Sequence, residues 1–154
     1  MKDLLDWVEK AGAENIKFRL QNAETLAKDA STTLTILLAG IGGSLAYAVK
    51  GFENPQIMPL TFGAAALSVW LTLAAVVLMV QCIVTTALPA PTNEPKNLFQ
   101  KDYALEKLRE VELANLQDRI FQITARNHRV AAWLDRVRLL AIASPLVFAI
   151  AALA

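Results

Sequence analysis

The sequence predicts an all-α integral membrane protein: a transmembrane helical hairpin, then a long amphipathic cytoplasmic helix that continues into a C-terminal third membrane helix. Three observations support this fold class. The chain has 154 residues and is 55% hydrophobic, above the usual apolar share of a soluble globular domain. The stretches 30–49, 54–93 and 139–154 contain no Asp, Glu, Lys or Arg. The remaining sequence mixes charged and apolar residues at helical spacing, as expected of helices outside the bilayer.

Residues 1–29 form the predicted cytoplasmic N-terminal helical segment. Glu24 and Lys28 are four residues apart with the acid first, which is the favourable order on a helix. Gly12 predicts a break that would divide this segment into two shorter helices. Acidic residues near the start, and the lack of an apolar run before residue 30, argue against a cleaved targeting peptide.

Residues 30–88 form the predicted transmembrane hairpin. Its first span, residues 30–49, has about the ~20 residues needed to cross a hydrocarbon core of ~30 Å. The sequence Lys-Gly-Phe-Glu-Asn-Pro at 50–55 then predicts a tight turn. The second span is predicted over 58–88, with Pro59 in its first turn, where proline is tolerated. Three prolines between Leu88 and Pro95 predict an extended linker over 89–97.

Residues 98–138 form the predicted cytoplasmic amphipathic helix, since no proline or glycine interrupts them. The N-terminal segment is the simple intrachain partner for the apolar face of this helix, but it is short, which favours homo-oligomerisation. Residues 139–154 form a third membrane helix that continues the same helix, with Pro145 imposing at most a kink. Sixteen residues is short for a span, so an interfacial position or a subunit contact are alternatives. The residues predicted at the cytoplasmic helix interface are Leu105, Leu108, Leu116, Ile120 and Ile123.

The distribution of basic residues predicts the orientation. Five Lys or Arg precede the first span, one lies in the hairpin turn, and nine lie between the second span and residue 138. Because basic residues concentrate on the cytoplasmic side, the turn should face outward. We therefore expect a bacterial inner-membrane protein with a cytoplasmic N-terminus and its C-terminus at the outer face.

The sequence offers little catalytic chemistry. His128 could act as a base or a metal ligand, but one histidine and one cysteine, Cys82, make too small a ligand set for a structural metal site. A solvated polar position is the simpler interpretation of His128. Formal net charge is only +1, which gives no reason to expect nucleic acid as a partner. We expect a protein that is not an enzyme and needs no cofactor.

Small and polar residues are the candidates for assembly and transport. Small residues four apart let membrane helices approach closely, which predicts helix packing or oligomerisation at Gly40, Ser44, Ala48 and Gly63. Polar residues of the second span either line a pore or make hydrogen bonds between helices; these are Gln81 and Thr85. Basic residues beside the third span would attract lipid headgroups or another anionic ligand, or reflect orientation alone; these are Arg126, Arg129, Arg136 and Arg138.

The 30–88 hairpin with its adjoining cytoplasmic helical region resembles the small multi-helix membrane effectors of bacterial anti-phage systems and, more loosely, phage holins. That resemblance implies an oligomer in the lipid bilayer that forms or gates a pore, as a defence or lysis effector responding to a cytoplasmic cue. No ligand-sensing domain is recognisable, so a cytoplasmic sensor protein is an expected partner. The alternative is an accessory or scaffold subunit of a larger inner-membrane complex, or an entry-exclusion protein.

Overall fold

A computed structural model describes residues 2–54, 58–84 and 87–153, and the chain is all-helical in these ranges. Helices account for 87% of the structure and no strand is present among the described residues. The elements, in chain order, are α1 (Lys2–Phe52), α2 (Pro59–Leu78), a five-residue π-helical segment (Met79–Ile83), α3 (Pro95–Leu98), α4 (Leu105–Ile142) and α5 (Ser144–Leu153). The predicted helical class is therefore confirmed.

Helix α1 is a single helix of 51 residues, so the predicted break at Gly12 is wrong. A glycine inside a helix costs about 1 kcal/mol relative to alanine. Here the missing side chain has a packing use, because a Cβ atom on Gly12 would lie 2.7 Å from Cδ2 of Leu116. Close helix approach, and not a turn, explains this glycine.

Helix α2 and its π-helical continuation end earlier than the second span predicted over 58–88. The π-helical segment ends at Ile83, and the backbone N–H of Val84 donates to the carbonyl of Met79 (2.9 Å). At the other end, Pro59 occupies the first turn of α2, as the sequence predicts. Thr85, one of the two predicted pore-lining residues, lies outside the described residues.

The region after α2 also differs in detail from the prediction. The proline-rich stretch contains the one-turn helix α3, and α4 begins at Leu105 instead of residue 98. Helices α4 and α5 are separated at Ala143. Pro145 explains the separation, because it lacks an N–H group and its ring disfavours a continuous helix around it.

Three stretches of helix are long and apolar enough to cross a membrane: Asp3–Phe52, Pro59–Ile83 and Leu105–Leu153. Their most apolar windows have mean hydropathies of 1.6, 2.2 and 1.8. Two of these three helical stretches also contain a charged portion. In the first it is the part of α1 before residue 30, and in the third it is most of α4.

The chain divides into two compact units. Unit 1 comprises Met1–Leu26 and Thr85–Arg129, and unit 2 comprises Ala27–Val84 and Val130–Ala154. Unit 1 pairs the start of α1 with the first part of α4. Unit 2 packs the end of α1, α2 and the α4–α5 region against one another.

Candidate functional site

The two helices of unit 1 run parallel, because their contacts advance together along both. Glu9 pairs with Arg109, Gly12 approaches Leu116, and the Nδ2 atom of Asn127 donates to the carbonyl of Arg19 (2.9 Å). Along α4, buried residues alternate at spacings of four and three; they are Ile123 and Asn127 in unit 1 and Val130, Leu134 and Val137 in unit 2. This heptad-like repeat is typical of coiled-coil packing.

The five residues predicted at the cytoplasmic helix interface of α4 are buried to different degrees. Ile123 is completely buried, whereas Leu105 is 70% exposed. Leu108, Leu116 and Ile120 are half-buried. The buried Ile16 of α1 shows that the N-terminal segment supplies an intrachain partner, but this partner leaves the start of α4 uncovered.

Arg109 joins the two helices of unit 1 electrostatically. Its guanidinium donates to both carboxylate oxygens of Glu9, from Nε (2.6 Å) and Nη2 (2.8 Å), and Nη2 also donates to Asp6. The hydrogen bonds to Glu9 and then to Asp6 raise the pKa of Arg109 above its ordinary value. The planar guanidinium binds carboxylates in only a few geometries. Its bonds to two carboxylates of α1 therefore fix the lengthwise position of α1 on α4.

Glu112 attaches the proline-rich linker to α4. Its carboxylate accepts hydrogen bonds from Nη1 of Arg119 (2.9 Å) and from the backbone N–H (3.3 Å) and side-chain amide of Asn93. Arg119 also donates to the carbonyl of Pro91 (3.3 Å). Partial burial alone would raise the pKa of Glu112, but the hydrogen bonds from Arg119 and Asn93 outweigh it and the pKa lies below its usual range.

We expect this Glu112 network to make the stability of unit 1 depend on pH. Since the folded-state pKa is lowered, the stabilisation is complete above the unfolded-state pKa of about 4.3 and is lost as the pH falls through the folded value. Glu112→Gln should therefore cost roughly 1–3 kcal/mol at pH 7. Its thermal unfolding, followed by circular dichroism in detergent, should show a shallower loss of stability below about pH 5 than the wild type. Equal acid slopes for both proteins would contradict this role. Glu110→Gln, on the exposed side of α4, is the matched control.

An apolar groove lies between the two helices of unit 1, beneath the linker. Its volume is about 350 Å³. The charged groups at its edge include Arg109, Glu9 and Glu112, all engaged in the ion pairs above. Lys17 also lines it and makes no ion pair within the part of the chain that the structure describes. The apolar lining consists of Ala13, Ile16, Leu20, Pro91, Leu113 and Leu116.

In unit 2, the small residues predicted from their spacing lie at contacts within the chain. A Cβ atom on Gly40 would lie 2.8 Å from Cδ1 of Leu71. One on Gly63 would lie 2.9 Å from the carbonyl oxygen of Phe148 and 3.1 Å from Cβ of Ala152. Ser44 and Ala48 are buried. The packing of one chain already uses all four predicted positions, and a role for them in oligomerisation stays a prediction.

A second face of α1, which the 40-44-48 spacing did not reveal, is uncovered. A Cβ atom on Gly42 or Gly43 would meet no atom of residues 2–54, 58–84 and 87–153 within 4 Å. The other small residues of this face are also exposed; they are Thr32, Thr35, Ala39 and Ala46. The sequence does contain this second series of small residues, at positions 32, 35, 39, 42, 43 and 46. It follows helical spacing on a different face from the predicted series at 40, 44 and 48.

Four polar side chains of unit 2 donate hydrogen bonds to backbone carbonyls within the unit. The hydroxyls of Thr33 and Ser44 donate to carbonyls four residues earlier on α1 (2.8 Å each). The indole N–H of Trp70 donates to the carbonyl of Leu140 (2.9 Å), and the thiol of Cys82 donates to that of Val130 (3.7 Å). The side chain of Gln81, which is predicted to line a pore or to bond between helices, is exposed in the single chain.

The four predicted anion-binding arginines have different surroundings. Arg126 is half-buried and Arg129 exposed in unit 1. In unit 2, Arg138 pairs with Asp29 (3.2 Å), and the guanidinium of Arg136 lies 4.7 Å from the centre of the Trp133 ring. These contacts leave anion binding by the four residues a prediction.

The candidate metal ligands are the single histidine, the single cysteine and the carboxylates of the chain. His128 is exposed. Within residues 2–54, 58–84 and 87–153, no group of three or more His, Cys, Asp or Glu side chains could hold a metal ion. Comparisons with protein-family models, curated proteins and solved structures find no match to this chain.

Proposed function

We propose that this chain is a non-enzymatic protein of the bacterial inner membrane that assembles with copies of itself, and that the assembled copies form or gate a pore. The proposal places the N-terminus in the cytoplasm, because basic residues concentrate outside the hairpin turn. The three long apolar helices support membrane insertion. A cytoplasmic sensor protein would supply the cue for opening.

The observation that carries the proposal is the uncovered small-residue face of α1, defined by Thr32, Thr35, Ala39, Gly42, Gly43 and Ala46. Four of the six glycines of the chain would clash with a neighbouring helix if they gained a Cβ atom, whereas Gly42 and Gly43 would not. In lipid, helices associate through small residues that let their backbones approach. An uncovered face of this kind on an apolar helix is suited to the same face of a second copy.

The packed interior of unit 2 supports a pore between copies. A water path needs polar groups along a lumen, and the buried hydroxyls of Thr33 and Ser44 are committed to their own helix. The uncharged stretches also lack the ionisable residues that ion-coupled carriers place within the bilayer. A conducting path would therefore be lined by residues that face neighbouring copies.

The first test replaces the uncovered glycines. Gly42→Leu with Gly43→Leu should shift the apparent dissociation constant between copies by at least about tenfold, because bulky side chains hold the helix backbones apart. Fluorescence energy transfer between labelled copies in lipid vesicles measures this. Ala149→Leu, at an exposed position of α5, is the matched control and should leave transfer unchanged. Wild-type protein that stays monomeric at every lipid dilution would refute the proposed assembly.

A scaffold or entry-exclusion role is the second candidate, favoured by exposed aromatic residues in the charged part of α1. Trp7 is 68% exposed and Phe18 59%, which suits contact with a different protein. Dye-loaded vesicles containing the protein separate the two functions. A pore-forming oligomer releases dye once open, and the glycine double variant does not. An oligomer that never leaks, even with its sensor partner present, would favour the scaffold.

A further inference from the structure

We propose that unit 2 binds one anionic glycerophospholipid beside the hairpin turn, with an acyl chain in an apolar groove and the headgroup phosphate at Lys50. Two neighbouring cavities of unit 2 form this site, and Tyr47 lines both of them. The inference rests on the proposed membrane insertion of the chain. It requires neither the assembly of copies nor a pore.

The first cavity is an apolar groove among α1, α2 and α5, with a volume of about 330 Å³. It is lined by Gly40, Ser44, Tyr47, Ala64, Leu67 and Phe148. The Phe148 wall is held by close packing, since a Cβ atom on Gly63 would lie 3.1 Å from Cε2 of its ring. The hydroxyl of Ser44 donates to the carbonyl of Gly40 (2.8 Å), so its hydrogen is already used within α1.

The second cavity is polar and lies at the turn end of α1 and α2, with a volume of about 210 Å³. It is lined by Tyr47, Lys50, Gly51, Asn54, Met58 and Thr61. The ammonium group of Lys50, the amide of Asn54 and the hydroxyl of Tyr47 are donors suited to the oxygens of a phosphate ester. The two helices touch here, because a Cβ atom on Gly51 would overlap the buried Thr61 side chain.

The two cavities together match the depth of one leaflet. Gly40 and Lys50 are ten residues apart on one helix, which is about 15 Å at 1.5 Å per residue and half of a hydrocarbon core of ~30 Å. Lys50 directly follows the uncharged stretch 30–49, and tyrosine favours the boundary between hydrocarbon and headgroups. The apolar groove therefore lies at acyl-chain depth and the polar cavity at headgroup depth.

The width of the apolar groove selects a flexible chain over a helix of a second copy. Gly40 and Tyr47 are about 10 Å apart along α1, so 330 Å³ corresponds to a mean cross-section of about 30 Å². An α-helix with its side chains is about 10 Å or more across, which is a cross-section of at least about 80 Å². A single acyl chain can enter a groove of this width, and a helix cannot.

Charge selects an anionic headgroup. Lys50 and Glu53 are the only charged residues of the sequence between positions 30 and 93. Lys50 makes no ion pair within residues 2–54, 58–84 and 87–153, and Glu53 is not among the residues that line the polar cavity. One lysine near a membrane surface favours anionic lipid about fivefold. Acyl chains are as apolar in the bilayer as in the groove, so the headgroup supplies this selectivity.

Photolabelling of the full chain in phosphatidylcholine vesicles tests the site. Trace phosphatidylglycerol or phosphatidylcholine carries a diazirine midway along one acyl chain, and mass spectrometry locates the labelled residues. We expect phosphatidylglycerol to label residues 40–47 at least about fivefold more than phosphatidylcholine does. Lys50→Gln should remove this preference, whereas Lys28→Gln, before the other end of the uncharged stretch, should leave it unchanged. Equal labelling by the two lipids, or a preference that survives Lys50→Gln, would overturn the proposal.

A second pair of variants tests the acyl-chain groove. Leu67→Trp places a larger side chain in the groove and should abolish the preferential labelling of residues 40–47. Leu73→Trp, at an exposed position of α2 outside the groove, is the matched control and should preserve it. Labelling that disappears as the protein-to-lipid ratio rises would show that a second copy fills the groove, against the proposal.

The same vesicles separate this inference from the proposed assembly. Selective labelling without energy transfer between copies would support the lipid site and refute the assembly. Energy transfer without selective labelling would overturn the lipid site and leave the assembly standing. A chain whose uncharged stretches are labelled by neither lipid is not inserted in the bilayer, and that result would remove both.

Discussion

Gly63→Ala should destabilise unit 2, whereas Gly42→Ala should not. The two substitutions give the same gain in helix propensity, about 1 kcal/mol, so their difference isolates packing. A Cβ atom at position 63 would lie 2.9 Å from the backbone oxygen of Phe148, which cannot move without shifting α5 away from α2. Overpacking of this kind costs about 1–3 kcal/mol, and we expect the two variants to differ by that amount.

The stability of unit 2 in these variants can be measured through Cys82, the single cysteine of the sequence. Cys82 lies in unit 2 and is buried, so a maleimide dye that fluoresces on reaction reports the opening of this unit during heating. Gly40→Ala should have an intermediate effect, because its new Cβ atom would meet the movable end of the Leu71 side chain at 2.8 Å. Identical melting of the position 63 and position 42 variants would mean that α2 and α5 do not pack as described.

The helices of this chain were predictable because their signals are local. The uncharged stretches and the helical spacing of apolar residues identify the apolar helices, and Pro59 correctly marks the start of α2. Gly12 was misread because a glycine that allows a close contact looks like a glycine that ends a helix. Only the position of Leu116, more than a hundred residues away, separates the two meanings.

The candidate sites were less predictable because they depend on which face of each helix is covered. The sequence contains two series of small residues on α1. Only the structure shows that a Cβ atom on Gly40 would meet Leu71, while one on Gly43 would meet no described atom within 4 Å. The ion pairs of Arg109 and the hydrogen bonds between Asn93 and Glu112 were missed for the same reason, since these partners lie on different elements. No local pattern identifies such pairs. The lengthwise position of one helix on another determines them.

Asn127→Leu should stabilise unit 1 and weaken the specification of its register. Asn127 is buried, and its Oδ1 atom has no hydrogen-bond partner within the described residues, while its Nδ2 atom donates to the carbonyl of Arg19. An unpaired buried acceptor costs about 1–3 kcal/mol, and a leucine of similar size removes that cost together with one hydrogen bond worth about 1 kcal/mol. We expect a net gain of up to about 2 kcal/mol in the free energy of unfolding, measured by thermal unfolding followed by circular dichroism.

A buried asparagine at a core position of a coiled coil fixes the register of the helices at a cost in stability. We therefore expect Asn127→Leu to allow α1 and α4 to shift lengthwise against each other. In a Cys82→Ser background, Gly12→Cys with Leu116→Cys reports the native register, because a Cβ atom on Gly12 would lie 2.7 Å from the Leu116 side chain. Gly12→Cys with Ile123→Cys can join only after a slip of one heptad. The slipped disulfide should form in the Asn127→Leu protein and not with Asn127 present. Loss of stability in Asn127→Leu would instead show that the hydrogen bond to Arg19 outweighs the unpaired oxygen, and that this asparagine holds α1 and α4 together as well as aligning them.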